Sequence, residues 1–245
     1  MTFPRLFLSS VSSGITSHFA LKAAAVLTLA MGMTGCGGDT YSADELAALY
    51  PQVAAGSTTP EDAEILCPFQ RMIKRSGLLD DVLADGEFEV RNRLVTEASE
   101  IFGCASGACG TFVGYASLAQ GNWNTLELNR LHEAGFLSHD CGLTFELGSI
   151  TVDDSRRDFT LGRLTDLAVD GTLSLDNLMQ VKQEICDLEG VEMTIGGETE
   201  VKLIYAYLGG SERGYVMNSD VSRFLHATLP AYKSSEYIDF SVVSE

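Results

Sequence analysis

The first 36 residues decide the chemistry of every cysteine behind them, and through it what the chain can fold into. Arg5 and Lys22 are the charges of this stretch, no acid accompanies them, and Ala23 to Met33 form an apolar run. That layout is an export signal, and the run is too short to span a bilayer as a stable helix. Export delivers the remainder to an oxidising space, where thiols pair. Six cysteines are present: Cys36 closes the signal, and Cys67, Cys104, Cys109, Cys141 and Cys186 follow. Five is odd, so at least one stays free or binds something else. Cys67 is the candidate for the odd one. The other four allow three pairings, of which Cys104–Cys109 with Cys141–Cys186 is one.

The small residues before Cys36, in Met33-Thr34-Gly35-Cys36, resemble the lipobox of bacterial lipoproteins. Their cysteine is fatty-acylated, palmitate included, and becomes the new N-terminus. An ordinary secretory signal with a chance cysteine is the alternative. Gly37 rather than Asp follows, which in such lipoproteins points to the outer membrane. This reading divides the chain into a signal peptide (1–35), a lipid-anchored tether (36–59), one domain (60–232) and a C-terminal tail (233–245), with membrane contact through the lipid only. Loss of the signal takes two positive charges with it, so the formal charge of −18 becomes −20. A surface that acidic, with no basic patch, repels nucleic acid and excludes it as a partner.

The apolar pattern is mostly helical, so the expected fold is a mainly α, single-domain bundle. Ser42-Ala43-Asp44-Glu45 reads as a capping box opening a short helix. Thr59-Pro60-Glu61-Asp62 reads as a second helix start, with Pro60 at the first helical position. Val90, Leu94, Val95, Ala98, Ile101 and Phe102 share a helical face that the Gly-rich stretch 103–110 ends. Ser174 caps another helix, with Leu175, Leu178, Met179 and Ile185 inward; Val221, Phe224, Leu225 and Leu229 line a last one, stopped by Pro230. Residues 193–207 could form a hairpin turning at Gly196-Gly197. Yet Val201, Ile204, Tyr205 and Leu208 fall at helical spacing before Gly209-Gly210, which favours helix. Asp166 to Asn177 partly mimics a calcium loop, but Ala168 and Asn177 stand where oxygen ligands are needed.

Cys67-Pro68 is the pair with the most chemistry. Proline cannot continue a preceding helix but opens a new one. Cys67 then caps a helix carrying Phe69, Met72 and Ile73 on one side and ending near Gly77. Unpaired N–H groups and the positive dipole end there favour an anion, which lowers a thiol's pKa. Thiolate is the form that binds iron. A disulfide half or a small apolar filler is the other role open to Cys67.

Cys67-Pro68 followed by Gly77-Leu78-Leu79 resembles the proximal loop of the haem-thiolate peroxidases, the chloroperoxidase and peroxygenase family. Gly135-Phe136-Leu137-Ser138-His139-Asp140 is similar to that family's Gly-Phe-Leu-Glu-His-Asp segment. Asp170-Gly171-Thr172-Leu173-Ser174-Leu175 resembles the turn opening its next helix. Glu200, Leu208-Gly209-Gly210 and Leu229-Pro230 keep the family's order, so the likeness covers about residues 60 to 232. There are departures. Leu66 replaces a usual Pro, Ser138 replaces the Glu that helps hold Mg or Mn beside the haem, and Gly142 replaces a cation-binding Ser. Only Asp140 keeps a hard anionic oxygen for such a cation. Met193 stands where long members carry an Arg; the His–Glu pair of the short members fits His139 with Glu200.

The resemblance implies a helical peroxidase that holds haem b through Cys67 as axial ligand and uses hydrogen peroxide to oxidise a halide or small organic substrate. Glu200 would be the distal acid–base, oriented by His139, with Glu198 the runner-up two residues away. The thiolate would donate electron density and favour O–O cleavage. Two other classes stay open: a haem-free binding or scaffold lipoprotein that keeps the fold without catalysis, and a haem carrier without turnover.

Overall fold

The computed structural model describes residues 40–84, 86–135, 140–239 and 241. The export signal, Cys36, Ser138 and His139 lie outside the described residues. The described residues belong to one compact unit, Asp39–Glu245, and it is mainly α-helical.

Helix α1 (Ala43–Leu49) is opened by Ser42, whose side chain accepts from the Glu45 N–H while Glu45 reaches back to the Ser42 N–H, the capping box that the residue types predict. Leu46, Tyr50 and Val53 are buried in the core. The segment read as a tether therefore packs into the domain from residue 40. At the other end the tail does the same. Ser234 N–H donates to Tyr207 O, and Ile238 bridges Cys104 through Ile238 N–H to Gly103 O. Lys233, buried, joins the two ends by donating to Tyr41 O at 2.7 Å and to Thr40 Oγ1.

The helix expected from Thr59 does not form: residues 57–67 are turns and extended chain. Their carbonyls are taken from outside. Arg75 Nε donates to Thr59 O at 2.8 Å, and Arg71 Nη1 donates to Ile65 O at 2.8 Å and Leu66 O at 3.2 Å. Glu61, expected in a first helical turn, binds Arg71 Nε at 2.8 Å and Arg157 Nη1 at 2.5 Å. These charge-assisted bonds outweigh one turn of exposed helix.

Helix α2 (Pro68–Arg75) starts at Cys67, whose backbone is extended, and ends before Gly77 at φ +77°. Strand β1 (Glu89–Arg91) pairs antiparallel with β2 (Thr125–Glu127), Val90 opposite Leu126. Between them lie α3 (Asn92–Ile101) and α4 (Ser106–Ala119). Val90 thus belongs to a strand, and the Gly-rich stretch does more than end α3: α4 begins inside it. Gly110 of α4 faces Thr96 of α3, which lies 3.6 Å from where a Cβ would be, an ordinary contact distance. Helix α5 (Asp154–Leu167) follows, then β3 (Thr172–Leu173), then α6 (Leu175–Glu189), capped by Ser174 with Asn177 completing a capping box and ended by Gly190 at φ +69°. Residues 195–207 are helix, as the longer spacing predicts: α7 (Ile195–Tyr207), capped by Thr194. A short α8 (Gly210–Arg213), β4 (Val216–Met217) paired with β3, and α9 (Asn218–Leu225) complete the order. Helix α9 stops at His226, ahead of Pro230, because Ala227 turns at φ +50° and Arg75 binds its carbonyl at 3.1 Å.

Candidate functional site

Cysteine pairing sets up the site. Cys104 bonds Cys109 and Cys141 bonds Cys186, and Cys67 is free. The free thiol sits in the wall of an apolar cavity of about 190 Å³, whose unfilled space grows to about 1300 Å³ with its open mouth. Three groups of elements build it. The start of α2 supplies Cys67, Phe69 and Gln70; α4 supplies Cys109, Phe112 and Val113; one face of α7 supplies Gly196, Thr199, Glu200, Leu203, Ile204 and Tyr207. Phe145 and Phe224 close the remaining sides.

Arg71 fixes the approach of Cys67. Fully buried, it holds the two carbonyls just before the cysteine and reaches Leu225 O of α9 at 2.8 Å. The loop carrying the sulfur is therefore pinned from below by a cation one helical turn away. The thiol's ionisation departs from the sequence expectation. Burial pushes Cys67 up, and the N–H of Gln70 pulls the other way. The Glu200 carboxylate pushes it up further, against the N–H of Phe69 and the Arg71 guanidinium. The helix amides act in the expected sense, but the apolar surroundings and a facing carboxylate outweigh them, so the free protein holds a neutral thiol. A bound cation reverses this, since a coordinating thiol is deprotonated by its metal.

Glu200 lines the same cavity and is 17 % exposed. Its Oε2 lies 2.7 Å from Nζ of Lys182, a lysine of α6 with 0 % exposure. Glu198 is outside the cavity lining, half-exposed, and pairs with Lys202 at 3.3 Å. The geometry thus separates the two glutamates that the sequence leaves together. Asp140 is exposed, and no group of three or more His, Cys, Asp or Glu side chains among the described residues gathers to hold a bare metal ion. Gly142 has a packing reason of its own: a Cβ there would run into the Phe145 ring, which lines the cavity.

The chain matches no protein-family model and no curated protein. Its residues alone carry the functional reading.

Four polar residues of the site escape sequence reasoning. Lys182 leaves a trace: it falls between Leu178, Ile185 and Cys186 on the buried stripe of α6, where a charge needs a partner. Tyr207 is seven residues past Glu200 on the same helix face. Gln70 and His132 leave none, since nothing in their neighbours marks them as inward. Around the cavity, Gln70 Oε1, His132 Nδ1 and Tyr207 OH are buried with no hydrogen-bond partner among the described residues. Buried polar atoms are ordinarily paired, so three unpaired ones on one apolar cavity suit a bound group.

Proposed function

We propose that this protein is a lipid-anchored haem-thiolate peroxidase or peroxygenase, exported and held to the envelope, outer membrane included, through Cys36. The supporting observation is that Cys67, left over when the other four cysteines among the described residues pair, is presented by a helix start to an apolar cavity that also carries a partly buried carboxylate. The residues present fit haem b. One sulfur ligand is free, the walls are aromatic and aliphatic, and three buried polar atoms await partners.

A thiolate-ligated haem, when bound, supplies peroxide O–O cleavage, which electron donation from sulfur favours. The chain supplies the rest. Arg71 holds the Cys67 loop in place, and the N–H groups of Phe69 and Gln70 at the helix start favour the sulfur's anion and would tune it. Phe69, Phe145, Leu203 and Phe224 exclude water. Glu200 moves a proton between the two peroxide oxygens, and the Lys182 ammonium holds its carboxylate in place. His139 remains the proposed partner of Glu200, and a Mg or Mn ion at Asp140 lies outside this proposal. The substrate class is a halide or a small organic molecule.

The test is the reduced, carbon-monoxide spectrum of the chain reconstituted with haem. A thiolate-type Soret band is expected, lost in Cys67→Ala. Glu200→Gln should keep the band and lose at least about a hundredfold in peroxide turnover. Folded protein without the band sinks the reading.

A haem-free binding lipoprotein is the second reading. It is favoured by the neutral Cys67 thiol and by the ion pair that already engages Glu200. On that reading an apolar dye binds the cavity equally well in the Cys67→Ala variant.

A further inference from the structure

We infer that Tyr207 anchors the group that fills the cavity, donating its phenol hydrogen to a carboxylate of the haem; this rests on the haem reading above. Tyr207 is 4 % exposed and forms part of the cavity wall at the C-terminal end of α7. Its ring is fixed by two others. Phe69 meets it edge-on at 5.4 Å between centroids, and Phe224 lies tilted at 5.3 Å. A phenylalanine would make both contacts equally well, so packing gives no reason for the hydroxyl.

The hydroxyl carries a cost instead. It is sealed from water and has no partner among the described residues, and such a donor destabilises the fold until something accepts from it. Of the three unpaired atoms on the cavity, it is the one that always carries a hydrogen to donate: Gln70 Oε1 only accepts, and His132 Nδ1 carries a hydrogen in only one of the two neutral tautomers. Gln70 already donates through Nε2 to Ser99 Oγ at 3.3 Å, and His132 Nε2 stands 3.7 Å from Glu133. Burial also pushes the Tyr207 phenol up, which keeps it a donor at every physiological pH.

The missing partner is therefore an acceptor. A haem whose pyrrole nitrogens are committed to iron offers one kind, the oxygens of its carboxylates. A phenol donating to a carboxylate is a charge-assisted bond, about twice as strong as one to a neutral ester carbonyl.

Tyr207→Phe in the full chain separates this role from a structural one, because it moves stability and binding in opposite directions. Without haem, its urea midpoint should equal or exceed that of the wild type. With hemin as titrant, its dissociation constant should rise about tenfold. With hemin dimethyl ester the difference between the two proteins should shrink. Equal hemin affinity in both proteins overturns the assignment while leaving the haem reading intact. A wild type that binds no hemin overturns both. A lower urea midpoint together with unchanged affinity assigns Tyr207 to packing alone.

Discussion

Removal of the Cys141–Cys186 bridge should cost far more stability than removal of Cys104–Cys109, although both are single bonds in one domain. A cross-link acts mainly on the unfolded chain, by the entropy of the loop it closes. Cys141 and Cys186 are 45 residues apart, which corresponds to about 4 kcal/mol. Cys104 and Cys109 are 5 apart, which corresponds to about 2 kcal/mol. Packing widens the gap: Cys141 and Cys186 are 1 % and 0 % exposed, whereas Cys104 is only half-buried. The comparison is between Cys141→Ala/Cys186→Ala and Cys104→Ala/Cys109→Ala, each unfolded in urea and followed by far-ultraviolet circular dichroism. The expected separation is at least about 2 kcal/mol. If the Cys104–Cys109 double variant loses as much as the other or more, loop closure is the wrong account of what these bridges do. The larger bridge also matters to the site, since Cys186 lies one turn beyond Lys182 on α6.

Three further outcomes follow from the structure. Cys67 should alkylate slowly at pH 8 in the haem-free protein, and faster in Glu200→Gln, because the carboxylate is among the groups that push the thiol up; iodoacetamide labelling read by mass spectrometry checks it, and an unchanged rate denies the coupling. Gly142→Ala should cost about 1–3 kcal/mol by overpacking against the Phe145 ring, seen as a lower thermal midpoint. Burial pushes Lys233 from 10.5 down to about 8. Between those values the unfolded chain holds a proton that the folded chain has released, so stability should rise with pH across that window, by up to about 3 kcal/mol in all. Urea midpoints at pH 7.5 and 9.5 should show a rise in the wild type relative to Lys233→Met.

The sequence by itself determined the local events. Caps at Ser42 and Ser174, the proline start at Cys67-Pro68 and the stop near Gly77 act within one helical turn, so their residue types suffice to place them. An odd cysteine also singled out Cys67. Tertiary structure decided whatever depends on distant partners. It cancelled the helix at Thr59, because Arg71, Arg75 and Arg157 capture that segment from elsewhere. It set Lys182 against Glu200 across 18 residues and left Tyr207, between two rings, without a partner among the described residues. It also reversed the expected ionisation of Cys67. A helix start supplies its amides wherever it lies, but desolvation and a facing carboxylate exist only once the cavity has closed around the sulfur.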